Sequence, residues 1–155
     1  MTPAADTPLA ALAGRWTGSS RLVLSWETPS EYTSDSTAEV TVVAGGRFVT
    51  IAYTWTHKDR PREGFLLAGR ETKTEVAHAS WVDSYHQREF PMTSRGTVTA
   101  DGGIDVLGSF PAGDGPDWGW RTEVTPTADG FAIRMYVIPP GEAEQIGFEN
   151  VYTRG

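Results

Sequence analysis

The feature that most constrains the fold is a series of about ten short β-prone runs between Arg15 and Arg154, each ended by a turn-forming group. The predicted strands cover residues 15–26, 36–43, 47–57, 63–70, 75–84, 89–99, 104–110, 118–125, 131–138 and 144–153. Because nearly every link is short, strands adjacent in sequence should pair antiparallel. We therefore predict an all-β fold, an up-and-down antiparallel β-barrel of about ten strands, since closure removes the exposed edges of an open sheet.

A short N-terminal helix is predicted over residues 7–13. Pro8 suits the first helical position and Gly14 suits the exit from the helix. Leu9 and Leu12 are three residues apart and share one face, so we expect them to plug one end of the barrel.

Length and charge limit the classes of function. A chain of 155 residues fits one domain spanning 1–155. A net charge of −7 argues against nucleic acid and anionic membrane surfaces as partners. The chain has no cysteine, no basic N-terminal region and no apolar run of transmembrane length, so we expect a cytoplasmic protein. The expected partner is a small hydrophobic or amphipathic molecule, with a homodimer left open.

Several segments, in this order along the chain, resemble a known family. They are residues 12–18 (LAGRWTG), 45–48 (GGRF), 81–84 (WVDS) and 149–154 (ENVYTR), with Arg121, Glu123 and Val124. The chain resembles an uncharacterised bacterial domain-of-unknown-function family with calycin-like barrels, related in shape to lipocalins and fatty-acid-binding proteins. The resemblance implies that Trp16 on the first strand pairs with Arg154 at the barrel bottom. It implies a fold more than an activity.

A polar and aromatic cluster is the candidate ligand-binding site. Charged residues within predicted strands either face solvent or are buried with a partner. We predict that an inward set forms a polar end to an apolar pocket, comprising Tyr53, Trp55, Trp81, Asp83, Arg121 and Glu149. The same pattern also fits charges on the outer face and aromatic rings in ordinary core packing. An inward Arg121 would place Trp118 and Trp120 outward.

Histidines and nucleophiles give no catalytic motif. His57, His78 and His86 could converge at one rim, but their spacing fits no metal-binding motif, so no metal is expected. His78 and Asp83 are five residues apart on one strand and should face opposite sides, which counts against a dyad. A related group of haem barrels uses a histidine near the C-terminus, which this chain lacks, so neither haem nor another cofactor is expected.

Three functions remain open from the sequence. The leading interpretation is a protein that binds a small, partly hydrophobic molecule inside the barrel. The alternative is an enzyme, such as a cyclase, isomerase or hydrolase, acting on a hydrophobic metabolite in the same cavity. The third is a barrel with a fully packed interior that has a structural or partner-binding role.

Overall fold

The computed structural model describes residues 7–154, and within them ten β-strands close into one antiparallel barrel. The strands are β1 (Gly14–Val23), β2 (Glu31–Val43), β3 (Phe48–His57), β4 (Arg60–Arg70), β5 (Val76–Asp83), β6 (Gln87–Val98), β7 (Ile104–Phe110), β8 (Trp118–Pro126), β9 (Gly130–Ile138) and β10 (Gln145–Thr153). Each strand pairs with its sequence neighbours, and β10 pairs with β1 to close the ring. The predicted all-β class and up-and-down barrel are confirmed.

The main difference in strand bounds lies between β1 and β2. β1 ends at Val23 rather than at the predicted residue 26, and β2 begins five residues earlier than expected. Residues 24–30 form a hydrogen-bonded loop instead, in which Leu24 N donates to Ser30 O at 2.8 Å. This loop lies at the end of the barrel that we call the mouth, where β1 ends and β2 begins.

The opposite end, which we call the closed end, is covered by the segment that precedes β1. The predicted helix over 7–13 is reduced to a single 3-10 turn, Ala10–Leu12, because Leu9 has a left-handed backbone conformation with φ 69°. Leu9 and Leu12 are nevertheless both buried in the core. The backbone N–H of Leu9 donates to Gly102 O at 2.9 Å. The predicted plug is therefore present in the absence of the longer helix.

Alternation along each strand decides what fills the barrel. In β3 the buried side chains are Val49, Ile51, Tyr53, Trp55 and His57, and those between them are largely exposed. In β3, Val49 and Ile51 lie toward the closed end, whereas Tyr53, Trp55 and His57 lie toward the mouth. The buried polar side chains include Asp83 and His57 near the mouth and a separate hydrogen-bonded group of Ser36, Asn150 and Tyr152 on β2 and β10.

Two irregularities shape the strands at the mouth. In β6 the pairing with β5 passes from Met92 directly to Gln87, and residues 88–91 bulge outward. In β10 the pairing with β9 skips Gly147, which is therefore an extra residue. No helix among residues 7–154 is long and apolar enough to cross a membrane.

Candidate ligand-binding site

A cavity of about 450 Å³ opens at the mouth of the barrel. Its size falls within the usual range for small-molecule sites. Most of its wall is apolar or aromatic, and the larger lining side chains are Leu24, Trp26, Trp81, His86, Met92, Phe110, Trp118, Trp120 and Val137. We call this space the mouth cavity.

Asp83 forms the polar centre of the barrel beside this cavity. It is the last residue of β5, only 2% exposed, and faces inward with Trp81. Its Oδ2 accepts hydrogen bonds from Tyr53 Oη at 2.6 Å and from Trp55 Nε1 at 3.3 Å. Trp81 Nε1 donates in turn to Tyr53 Oη at 2.9 Å. Four of the six predicted site residues are therefore joined in one buried network.

The other carboxylate oxygen of Asp83 organises the turn after β5. Oδ1 accepts hydrogen bonds from the backbone N–H of Tyr85 at 2.8 Å and of His86 at 3.0 Å. His86 Nδ1 lies 3.5 Å from the same oxygen. Burial alone would raise the pKa of Asp83, but the hydrogen bonds and charge of His86 and the hydrogen bond from Tyr53 outweigh it and lower that pKa. Asp83 is therefore a buried carboxylate held in its ionised form.

The pKa of Tyr53 is shifted in the direction opposite to that of Asp83. Burial and the neighbouring charge of Asp83 raise the pKa of the Tyr53 hydroxyl well above its usual 10.0. The Tyr53 hydroxyl therefore stays protonated and donates a hydrogen bond to the Asp83 carboxylate. The pair acts as a neutral donor and a charged acceptor, which is a strong hydrogen-bond combination.

Trp120 on β8 forms one wall of the mouth cavity. Its ring stacks on Trp81, with centroids 5.3 Å apart and an interplanar angle of 14°. His86 packs on the same ring, with centroids 5.5 Å apart. Trp120 is 7% exposed, so the expectation that it faces outward is wrong, and the predicted facing of β8 is reversed.

The same reversal moves Arg121 out of the predicted site. β8 pairs without a bulge, so inward Trp120 and Thr122 leave Arg121 on the outer face. Its guanidinium contacts three carboxylates there, with Glu144 the nearest at 2.5 Å. Hydrogen bonding to Glu144 is the main effect that raises the pKa of Arg121. The prediction that Arg121 meets Asp83 inside the barrel is wrong.

Glu149 on β10 is also an outer-face residue. Inward Phe148 and Asn150 flank it, and its oxygens contact Arg134 Nε at 2.7 Å and Arg21 Nε at 3.4 Å. Its predicted inward position is therefore wrong as well. The physical reason is that a charge on a strand can be paired across neighbouring strands on the outer face, at lower cost than burial.

The histidines separate into two groups. His57 and His86 both pack against Tyr85 at the mouth, with ring centroids 5.0 Å from it. His78 lies on the outer face instead and contacts Glu71 Oε2 at 2.6 Å. Burial, helped by Lys58 and Arg62, lowers the pKa of His57. Residues 7–154 contain no cluster of three potential metal ligands.

The predicted set of site residues did not include His86, Trp120 or Gly147, which line the mouth cavity. His86 lies in the turn after β5, where no strand periodicity indicates a direction. Gly147 is the bulged residue beside Trp120, and a Cβ built on it would lie 3.8 Å from that ring. The Trp118-Gly119-Trp120 pattern was the available signal for Trp120, because it suggested two rings on one face.

A larger groove of about 1030 Å³ lies along the outside of β1 to β5. Many of the side chains along it are exposed and polar, such as Thr37, Thr54 and Glu63. Tyr53 and Asp83 border this groove, and of the four residues in the buried network only Trp81 lines the mouth cavity. The mouth cavity is nevertheless the more enclosed of the two spaces and has Trp26, Trp81, Trp118 and Trp120 in its wall. We therefore assign the candidate site to the smaller mouth cavity.

The sequence was compared with models of protein families and with curated proteins. A family model described as "Protein of unknown function (DUF1579)" matches residues 4–154. A search of curated proteins finds no match. The expected resemblance to an uncharacterised family of unknown function is confirmed, and the calycin relationship stays a prediction.

Proposed function

The chain belongs to this DUF1579 family, and we propose that its barrel binds a small, partly hydrophobic molecule in the mouth cavity. The observation that carries the proposal is the asymmetry of the two ends. Leu9 and Leu12 cover one end, whereas a cavity of about 450 Å³ opens at the other. The interior of a purely structural barrel is expected to be close-packed, whereas here aromatic side chains surround open space of the size of a ligand site. A cytoplasmic location stays a prediction.

The bulge at Gly147 offers a way to test this proposal. A Cβ at this position meets only ordinary contacts, the nearest being Met135 O and the Trp120 ring at 3.8 Å. Gly147 lines the cavity, and its φ is not in the left-handed region, so Gly147→Leu should fill the space without straining the backbone. Gly115→Leu is the matched control, because a Cβ there meets no atom within 4 Å and the residue is exposed in a loop.

Binding of the neutral fluorophore N-phenyl-1-naphthylamine gives the measurement. Energy transfer from the cavity tryptophans to the bound fluorophore should be seen in the wild type and in Gly115→Leu, and should be lost in Gly147→Leu. Native mass spectrometry of protein purified without added ligand gives a second reading. Binding at the wild-type level in Gly147→Leu would contradict the proposal, because the fluorophore would then bind outside the cavity. A wild type that binds no fluorophore would favour a packed structural barrel.

Catalysis in the same cavity is a second candidate function. The observation in its favour is His86, which lines the cavity and has the buried Asp83 carboxylate 3.5 Å behind its Nδ1. A carboxylate that orients an imidazole is a common arrangement for a general base. Hydrolysis of 4-nitrophenyl butyrate, lost in His86→Gln while fluorophore binding persists, would support a hydrolase. Equal turnover in His86→Gln would exclude His86 as the base.

A further inference from the structure

Trp120, a residue of the mouth cavity wall, has a buried hydrogen-bond donor without a partner. Trp120 Nε1 is buried and has no hydrogen-bond partner among the described residues. The side chain is 7% exposed and forms part of the cavity wall. A buried indole N–H usually finds a partner, because leaving a donor unpaired costs about 1–3 kcal/mol. The unpaired donor is therefore where we expect an acceptor from outside the chain, reached after a small movement of the wall because Nε1 has almost no accessible surface.

The rings that surround Trp120 offer it no acceptor. Trp81 lies flat against it, and Phe110 meets it edge to face, with centroids 6.0 Å apart. His86 also has a buried ring nitrogen without a hydrogen bond, but this Nδ1 lies beside the Asp83 carboxylate. In the part of the chain that the structure describes, Trp120 Nε1 is thus a buried donor of the cavity wall that has no acceptor.

The charges of the wall indicate the kind of acceptor. None of the described residues that line the cavity is Lys or Arg, and Glu142 lies at its edge. A carboxylate or phosphate brought into such a space would lose its hydration and would meet neither Lys nor Arg, and His86 already faces the Asp83 carboxylate. A neutral oxygen requires only one donor, and the aromatic walls favour a flat apolar body beside it.

We infer that the mouth cavity takes an uncharged aromatic carbonyl compound, whose ring packs against the tryptophan walls and whose oxygen accepts a hydrogen bond from Trp120 Nε1. This inference rests on the proposed function and adds the chemical class of the ligand to it. It makes Trp120 the residue that determines specificity. Trp118, on the same strand and also in the wall, is partly exposed and serves as the matched control.

Three probes of similar size separate the elements of this inference. 2-Acetylnaphthalene carries the carbonyl, 2-ethylnaphthalene has nearly the same shape without the oxygen, and 2-naphthoate carries a negative charge. Titration by fluorescence quenching should give the ketone an affinity roughly three- to tenfold above that of the hydrocarbon, since one net hydrogen bond is involved. Trp120→Phe should abolish this preference, and the control Trp118→Phe should keep it.

A measurement on the wild type covers the case in which Trp120→Phe fails to fold. The chain has six tryptophans, so its indole N–H signals are few enough to follow by ¹⁵N NMR. The ketone should shift the Trp120 indole proton downfield, and the hydrocarbon should not. Equal affinity for the ketone and the hydrocarbon would overturn the inference and leave cavity binding intact, as would tighter binding of naphthoate. Failure of all three probes to bind would overturn both proposals.

Discussion

The guanidinium of Arg154 lies over the ring of Trp16, with its central carbon 3.9 Å from the ring centroid. Trp16 is buried, and its Nε1 donates to Leu12 O at 2.8 Å. Arg154 Nη2 donates to Ala13 O at 3.1 Å. Residues from both ends of the described chain therefore meet where β1 and β10 close the barrel, and the predicted pairing of Trp16 with Arg154 is confirmed.

Trp16→Ala should lower the free energy of unfolding by about 3–5 kcal/mol, as large aromatic deletions in cores do. The ring packs against Phe131 in the core, with centroids 5.2 Å apart, so its removal leaves a cavity. Arg154→Ala should cost roughly 0.5–1 kcal/mol, because Arg154 is exposed and a cation–π contact at an exposed site contributes little. Urea denaturation of both variants gives the comparison, and a loss below about 1 kcal/mol for Trp16→Ala would contradict the role in closure.

Asp83→Asn should destabilise the barrel at neutral pH and matter less in acid. The pKa of Asp83 is lowered from its usual 3.8, so its ionisation adds stability above that value. The contribution begins to fall as the pH drops below about 3.8 and is gone below the lower pKa of the folded state. At pH 7 we expect a loss of about 1.5–3 kcal/mol, the range for hydrogen bonds to a charged group.

Urea denaturation of the wild type and Asp83→Asn at several pH values between 7 and about 3 tests this expectation. The difference in unfolding free energy between the two proteins should shrink as the pH falls. Ser84→Ala provides a neighbouring control on the outer face, where the residue is exposed. A difference that grows in acid would mean that Asp83 is protonated in the folded protein, contrary to the direction of its pKa.

Arg121→Ala should cost only about 1 kcal/mol, because its ion pairs lie on the outer face. Added salt should reduce the effect, since screening weakens exposed charge pairs. Thermal unfolding at low and high ionic strength gives the measurement. A loss of several kcal/mol that salt does not change would point to a buried ion pair and contradict the outward position of Arg121.

The strand rhythm allowed the barrel to be predicted, but it did not determine which face of each strand points inward. In β3 the alternation of apolar side chains with Thr50 and Thr54 identifies the inner face without ambiguity. In β8 aromatic, charged and hydroxyl side chains are mixed, so the pattern does not show whether Arg121 faces inward or outward. Its partners Asp105 and Glu144 come from other parts of the chain, so the sequence alone could not show an ion-pair network on the outer face.

Only the part of the candidate site that lies on regular strands could be predicted from the sequence. Tyr53, Trp55, Trp81 and Asp83 lie on β3 and β5, where alternation is regular, and their shared inward facing followed from it. His86 depends on the turn that Asp83 caps, and the space beside Trp120 depends on the bulge at Gly147. Turns and bulges are set by three-dimensional pairing, which periodicity does not encode.

Gly64→Ala should destabilise the barrel strongly, because Gly64 on β4 lies directly beneath the ring of Tyr53 on the paired strand. A Cβ at residue 64 would approach Tyr53 Cζ and Oη to 2.2 Å, so the ring would have to move. Movement of this ring would break the hydrogen bonds that Tyr53 makes with Asp83 and Trp81, which lie wholly inside the barrel. Unpaired buried groups cost about 1–3 kcal/mol each, in addition to the steric strain.

A double-mutant cycle tests whether the loss of stability in Gly64→Ala comes from contact with the Tyr53 ring or from placing alanine in this strand. Tyr53→Leu removes the ring atoms that the new Cβ would meet, so Gly64→Ala should cost less in that background than in the wild type. Gly115→Ala, in an exposed loop where a Cβ meets no atom within 4 Å, should be nearly neutral in both backgrounds. Equal costs of Gly64→Ala with and without the Tyr53 ring would show that contact with this ring is not the reason for glycine at position 64.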